Sequence, residues 1–96
     1  MTSPPTPAPA IPIPQPRIAC GRMPDGSAVL YHPGPGKAYA VNGTAADVWE
    51  MCDGQRAPAA IVASMSARFA AEPAVIEAGV VAVLAHFRAL GLLEEP

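Results

Sequence analysis

Two cysteines, two histidines and eight carboxylates are the groups in this 96-residue chain whose chemistry could serve a reaction or hold a metal. Cys20 and Cys52 lie far apart, with neither CxxC nor zinc-ligand spacing. Cys52 falls one helical turn after Trp49, where a thiol packs as a small apolar group rather than serving as a nucleophile. His32 ends an apolar run beside Pro33, a structural position, and His86 lies off the apolar stripe of its helix, facing solvent. Asp53-Gly54 offers one carboxylate, which is not a coordination shell. No nucleophile, base and orienter recur at a recognisable spacing. The residues therefore imply no catalytic residue, no metal and no cofactor, and the expectation is a protein that is not an enzyme.

Composition narrows the partners. The six Lys/Arg (Arg17, Arg22, Lys37, Arg56, Arg68 and Arg88) are scattered and the net charge is −2, so no basic stripe suits nucleic acid. No apolar run reaches membrane-spanning length, and the N-terminus lacks the basic-then-apolar order of a secretory signal. A soluble, reduced, cytoplasmic protein with no membrane or nucleic-acid partner is expected. At this length one small domain is the most the chain can build.

The stretch from Val41 to Gly54 organises that domain. Asn42-Gly43 reads as a turn, because both residues tolerate positive φ. Thr44 is expected to cap the next helix, with Asp47 returning the bond. Ala45, Val48, Trp49 and Cys52 recur on one helical face, and Gly54 takes the left-handed position that ends it. Ahead of this stretch the chain reads as extended. Residues 1–16 hold Pro4, Pro5, Pro7, Pro9, Pro12, Pro14 and Pro16, which favour polyproline II or disorder over helix or central strand. They are assigned as a tail preceding a domain at 17–96; an SH3-type ligand is disfavoured because no Arg flanks the PxxP core before Arg17.

Three strands follow, at 17–22, 28–32 and 37–41. Pro24-Asp25-Gly26 and Pro33-Gly34-Pro35-Gly36 separate them, so an antiparallel meander is the simplest topology. In the last strand Lys37, Tyr39 and Val41 share one face, while Ala38 and Ala40 share the other. After the Trp49 helix, Pro58 opens a second helix with the stripe Ile61, Val62, Met65 and Phe69. Glu72-Pro73 opens a third, with the stripe Ile76, Val80, Val83, Leu84, Phe87 and Leu90. Gly91 stops it, and Leu92-Leu93 fold back on the core. The fold class is α+β, winged-helix-turn-helix-like: a three-stranded antiparallel sheet followed by three helices.

That outline admits a DNA reader, yet the third helix offers one cation, Arg88, and mostly Ala at exposed positions. Peptide binding suits the residues better. With strand order following the chain, the strand 37–41 is an edge without interior proline or inward charge, open to an added strand, or to exchange between two copies. Val81, with Leu84 and Arg88, forms a second flank on the third helix that the core does not require. The alternative is that the tail covers both.

The ordered set Val29-Leu30-Tyr31, Val41-Asn42-Gly43-Thr44-Ala45-Ala46, Val48-Trp49-Glu50, Cys52-Asp53-Gly54, Ile61-Val62, Phe69, the apolar helix from Val80 to Phe87 and Gly91-Leu92-Leu93 resembles the PqqD-like family of peptide chaperones. The resemblance runs from about Arg17 to the end. It implies a RiPP recognition element that captures the leader of a ribosomally made precursor peptide. The leader would add to Lys37, Ala38, Tyr39, Ala40 and Val41 and pack against Val81, Leu84 and Arg88. The domain would then present the precursor to a modifying enzyme, often a radical SAM protein, and do no chemistry itself. His32-Pro33-Gly34-Pro35-Gly36 departs from the acidic residue and single Gly of the pyrroloquinoline quinone members. A stand-alone leader binder of a lasso-peptide or other cluster is therefore equally compatible.

Overall fold

Alternation of small and large apolar residues builds an antiparallel meander in the computed structural model, which describes residues 11–94. Its strands are β1 (Ala19–Arg22), β2 (Ala28–His32) and β3 (Lys37–Val41), in the order β1-β2-β3. The register sets Cys20 opposite Leu30 and Leu30 opposite Tyr39, so these three share one face. That face is the inner one: Ala28, Leu30 and Val41 are buried, and Tyr39 and Ile18 pack partly against the same core. Pro24, Asp25 and Gly26 make the expected first turn. Gly26 has φ +92°, and its amide donates to the Met23 carbonyl at 3.0 Å. The Asp25 carboxylate accepts from the Ser27 hydroxyl and amide, which holds it below its ordinary pKa.

Strand β1 is exposed along its length and begins two residues later than the sequence suggests. Arg17, placed in that strand by the sequence, instead has φ +71°, which breaks the extended run. An ion pair fastens the strand's far end: Arg22 reaches Asp47 at 3.2 Å and Glu50 at 2.9 Å. Both acids belong to α1 (Gly43–Met51).

The start of α1 corrects the expected cap. Asn42, not Thr44, is the N-cap: its side-chain oxygen accepts from the Ala45 amide at 2.8 Å. Asn42 has φ −74°, so it contributes an acceptor rather than a left-handed turn. Ala45, Val48, Trp49 and Cys52 are buried as expected, and Ala46 and Met51 join them. Gly54 adopts φ +77° after the helix.

Helices α2 (Pro58–Arg68) and α3 (Pro73–Ala89) each begin on a proline, whose missing N–H is one a first turn cannot use. Ile61 and Met65 of α2 are buried, but Phe69 is 41 % exposed. It is the C-cap, with φ −120° and ψ 133°, so the chain has left the helix before its side chain could continue the stripe. Val80, Leu84 and Phe87 form the buried line of α3, and Phe87 meets Trp49 edge to face at 5.5 Å between ring centres. The helix closes in a Schellman motif. The Leu92 amide donates to the Phe87 carbonyl, the Gly91 amide to the Arg88 carbonyl, and Gly91 has φ +73°. Leu92 and Leu93 are then fully buried.

The proline-rich segment is not all outside the domain. Pro12 is buried, and Pro14 bridges to Leu93 in antiparallel fashion. The Gln15 amide donates to the Leu92 carbonyl at 2.9 Å, and the Glu94 amide donates to the Ile13 carbonyl at 2.7 Å. The packed unit therefore begins near Pro12 rather than Arg17. The run from Pro4 to Pro9 lies outside the described residues.

Candidate functional site

Of the candidate chemical groups, Cys52 and Asp53 are absorbed into the fold, while Cys20 and His86 face solvent. Cys52 is buried, its thiol donates to the Val48 carbonyl at 3.3 Å, and burial pushes its pKa up to about 12. A thiol at that value carries almost no thiolate near neutrality, so it is inert. Cys20 is exposed and free; partial burial, with Glu50 nearby, also raises its pKa. Asp53 is committed to the loop after α1. Its carboxylate accepts from the Gln55 and Arg56 amides at 2.9 and 3.1 Å, and those bonds, led by the one from Gln55, hold its pKa below the ordinary value. His86 is exposed on α3, as its spacing indicates. The His32 ring sits under the β2–β3 loop, and a Cβ added at Gly34 would lie 3.2 Å from it. Among the described residues no group of three or more His, Cys, Asp or Glu converges as metal ligands, and no helix is long and apolar enough to cross a membrane.

What remains is an edge. β3 pairs with β2 over its whole length, from Val41 opposite Ala28 to Lys37 opposite His32. Among the described residues nothing pairs with its other side. Of the tail expected as a possible cover, residues 1–16, the part at 13–15 is engaged with 92–94, and residues 1–10 lie outside the described residues. Every second residue of β3 thus directs an unpaired amide and carbonyl outward, a template for another extended segment. Lys37, Ala38 and Ala40 are exposed, Tyr39 is half-buried, and Val41 is rooted in the core.

The side-chain flank proposed from sequence divides. Val81 is 54 % exposed, and Arg88 is partly exposed with no salt bridge among the described residues. Leu84 is 2 % exposed and belongs to the core. The reason is angular. At 100° per residue Leu84 lies 40° from Val80 and 60° from Phe87, both buried, so it closes the core stripe on the side that Val81 and Arg88 border. Sequence spacing grouped the three because they adjoin; it could not say where the core ends.

A three-stranded antiparallel meander followed by three helices is also the architecture of solved proteins. TbiB1 in complex with the TbiA(beta) leader peptide superposes with a TM-score of 0.77 at 18 % identity, over 88 % of this chain and 96 % of that one. Lasso peptide synthetase B1 complexed with the leader peptide gives 0.76 at 20 % identity, over 90 % of this chain and the whole of that one. At these identities the likeness is one of fold. Residues 27–93, well over half of the chain, match the family described as coenzyme PQQ synthesis protein D (PqqD), and the chain belongs to that family. No curated protein matches it.

Proposed function

We infer that this chain is a RiPP recognition element. It takes the leader of a ribosomally made precursor peptide as a fourth strand on β3 and presents the precursor to a modifying enzyme. The observation that carries the reading is the unpaired outer edge of β3, in a fold shared with two proteins solved with leader peptides bound. Lys37, Ala38, Tyr39, Ala40 and Val41 supply main-chain pairing. Val81 and Arg88 supply the side-chain wall, with Leu84 supporting them from the core. Backbone bonds of this kind give affinity with little demand on sequence, and the side chains on alternate positions give selectivity. The chain makes and breaks no bond of the precursor. Its contribution is effective concentration, because tethering the leader turns a bimolecular encounter into an intramolecular one.

The family description points to coenzyme PQQ synthesis; the modifying enzyme would then be the radical SAM protein that the sequence resemblance implies. A second reading, a leader binder serving a lasso-peptide enzyme, is favoured by the likeness to lasso peptide synthetase B1. Titrating the chain with precursor leaders from both kinds of cluster separates these. The strand-addition step is tested with Ala38→Pro and Tyr39→Pro. Neighbouring residues on an edge strand point their amides in opposite directions, so one of the two substitutions removes an outward donor and spares the pairing with β2. That variant is expected to stay folded and lose leader binding. Undiminished affinity in both folded variants would end the strand-addition reading.

A further inference from the structure

The inner-face register of β3 also specifies what the guest strand should carry. Resting on the strand-capture reading above, we propose that the segment accepted by this chain alternates as apolar–x–apolar–x–acidic from its N- to its C-terminus, with the acidic residue opposite Lys37. Both strand pairs already in the sheet are antiparallel. A guest added to β3 in the same sense meets Val41 first, then Tyr39, then Lys37, at every second position. These three side chains point to the helix layer, as the burial of Val41 and the partial burial of Tyr39 show. Ala38 and Ala40 point the other way and make little demand on the intervening guest residues.

Apolar partners suit Val41 and Tyr39, since a polar group there would be desolvated against the core. Lys37 sets the charge. Several of the other charges are paired: Arg22 with Asp47 and Glu50, Arg68 with Asp47, and Arg56 with Asp53, whereas Arg88, unpaired among the described residues, belongs to α3 rather than to the ladder. Lys37 has no carboxylate within salt-bridge distance among the described residues, and its partner across the ladder is His32. A docking strand would partly cover this ammonium group while offering it a cross-strand position. A carboxylate there is favoured, and a second cation is disfavoured.

The test uses two blocked synthetic heptapeptides, Thr-Val-Thr-Leu-Thr-Glu-Thr and the same sequence with Lys in place of Glu. Each is titrated at low salt into the full chain and into Lys37→Glu, following backbone amide shifts by NMR. The wild-type chain is expected to bind the Glu peptide about two- to fivefold more tightly, with shifts confined mainly to residues 37–41. Lys37→Glu is expected to reverse the order. Equal affinities, or an order unchanged in Lys37→Glu, would overturn the register and charge assignment and leave strand capture standing. If neither peptide moves the amides of residues 37–41, strand capture fails and the assignment with it.

Discussion

Replacing Asn42 by Ala tests how the helix behind the open edge is held. The Asn42 side chain satisfies one of the four amides that the first turn of α1 cannot bond internally, that of Ala45, at 2.8 Å. No acidic residue lies in that first turn to share the task. Loss of such a cap costs about 1 kcal/mol, within a range of about 0.5–2. For a domain of this size that lowers the melting temperature by about 4–8 °C. Asn42→Asp should restore most of it, because a carboxylate accepts the same bond and suits the positive end of the helix. Thr44→Ala is the control: Thr44 is exposed and makes no side-chain hydrogen bond among the described residues, so its loss should stay within about 0.5 kcal/mol. Chemical melts of the three variants with unchanged m-values give the comparison directly. A loss at Thr44 equal to or larger than that at Asn42 would refute the assignment of the cap.

Other consequences follow from the same contacts. A thiol reagent should modify the exposed Cys20 in the folded chain, slowly near neutrality because its pKa is raised and faster at higher pH, and leave Cys52 untouched until the chain unfolds, as mass spectrometry with and without denaturant would show. Removing residues 1–16 should lower stability by about 1–3 kcal/mol, because it uncaps the Leu92 carbonyl and the Glu94 amide and exposes what Pro12 covers; a melt unchanged by the truncation would contradict the clasp. Asp25 and Asp53 have folded-state pKa values below their ordinary ones, so the stability they lend is present above the unfolded value near 4 and is lost as pH falls through the folded values. Asp53→Asn should accordingly make the acid limb of a stability–pH curve shallower, with no change in slope above about pH 6.

Much of this architecture is legible in the sequence because its signals are local. Gly26, Gly54 and Gly91 mark left-handed positions and all adopt positive φ. The stripe of α3 and the fold-back at Leu92-Leu93 follow from period and stop. The edge status of β3 follows from short connections alone. The departures arise where a tertiary choice decides between equal local options. Asn42 and Thr44 are both good capping types, and the helix begins at Gly43, which selects the earlier one. Phe69 continues the spacing of α2 but falls where the backbone turns away. Leu84 borders both core and flank. The clasp of residues 13–15 on 92–94 is hidden because prolines argue against pairing. Here the bonds are made by the Ile13 carbonyl and the Gln15 amide, on either side of Pro14, so the missing N–H is never required. Of the flank, the sequence placed Val81 outside the main stripe and joined Leu84 and Arg88 to it; Val81 and Arg88 retain exposure, and Leu84 does not.

Hydrogen–deuterium exchange of the full chain, with and without a leader peptide that binds it, measures the edge itself. Outward amides of residues 37–41, which exchange through solvent in the unbound chain, should slow strongly on binding, while those of α2 stay as they were. Binding that leaves residues 37–41 exchanging at their unbound rate, with protection arising on α2 or at the clasp, would contradict the assignment of β3 as the docking strand.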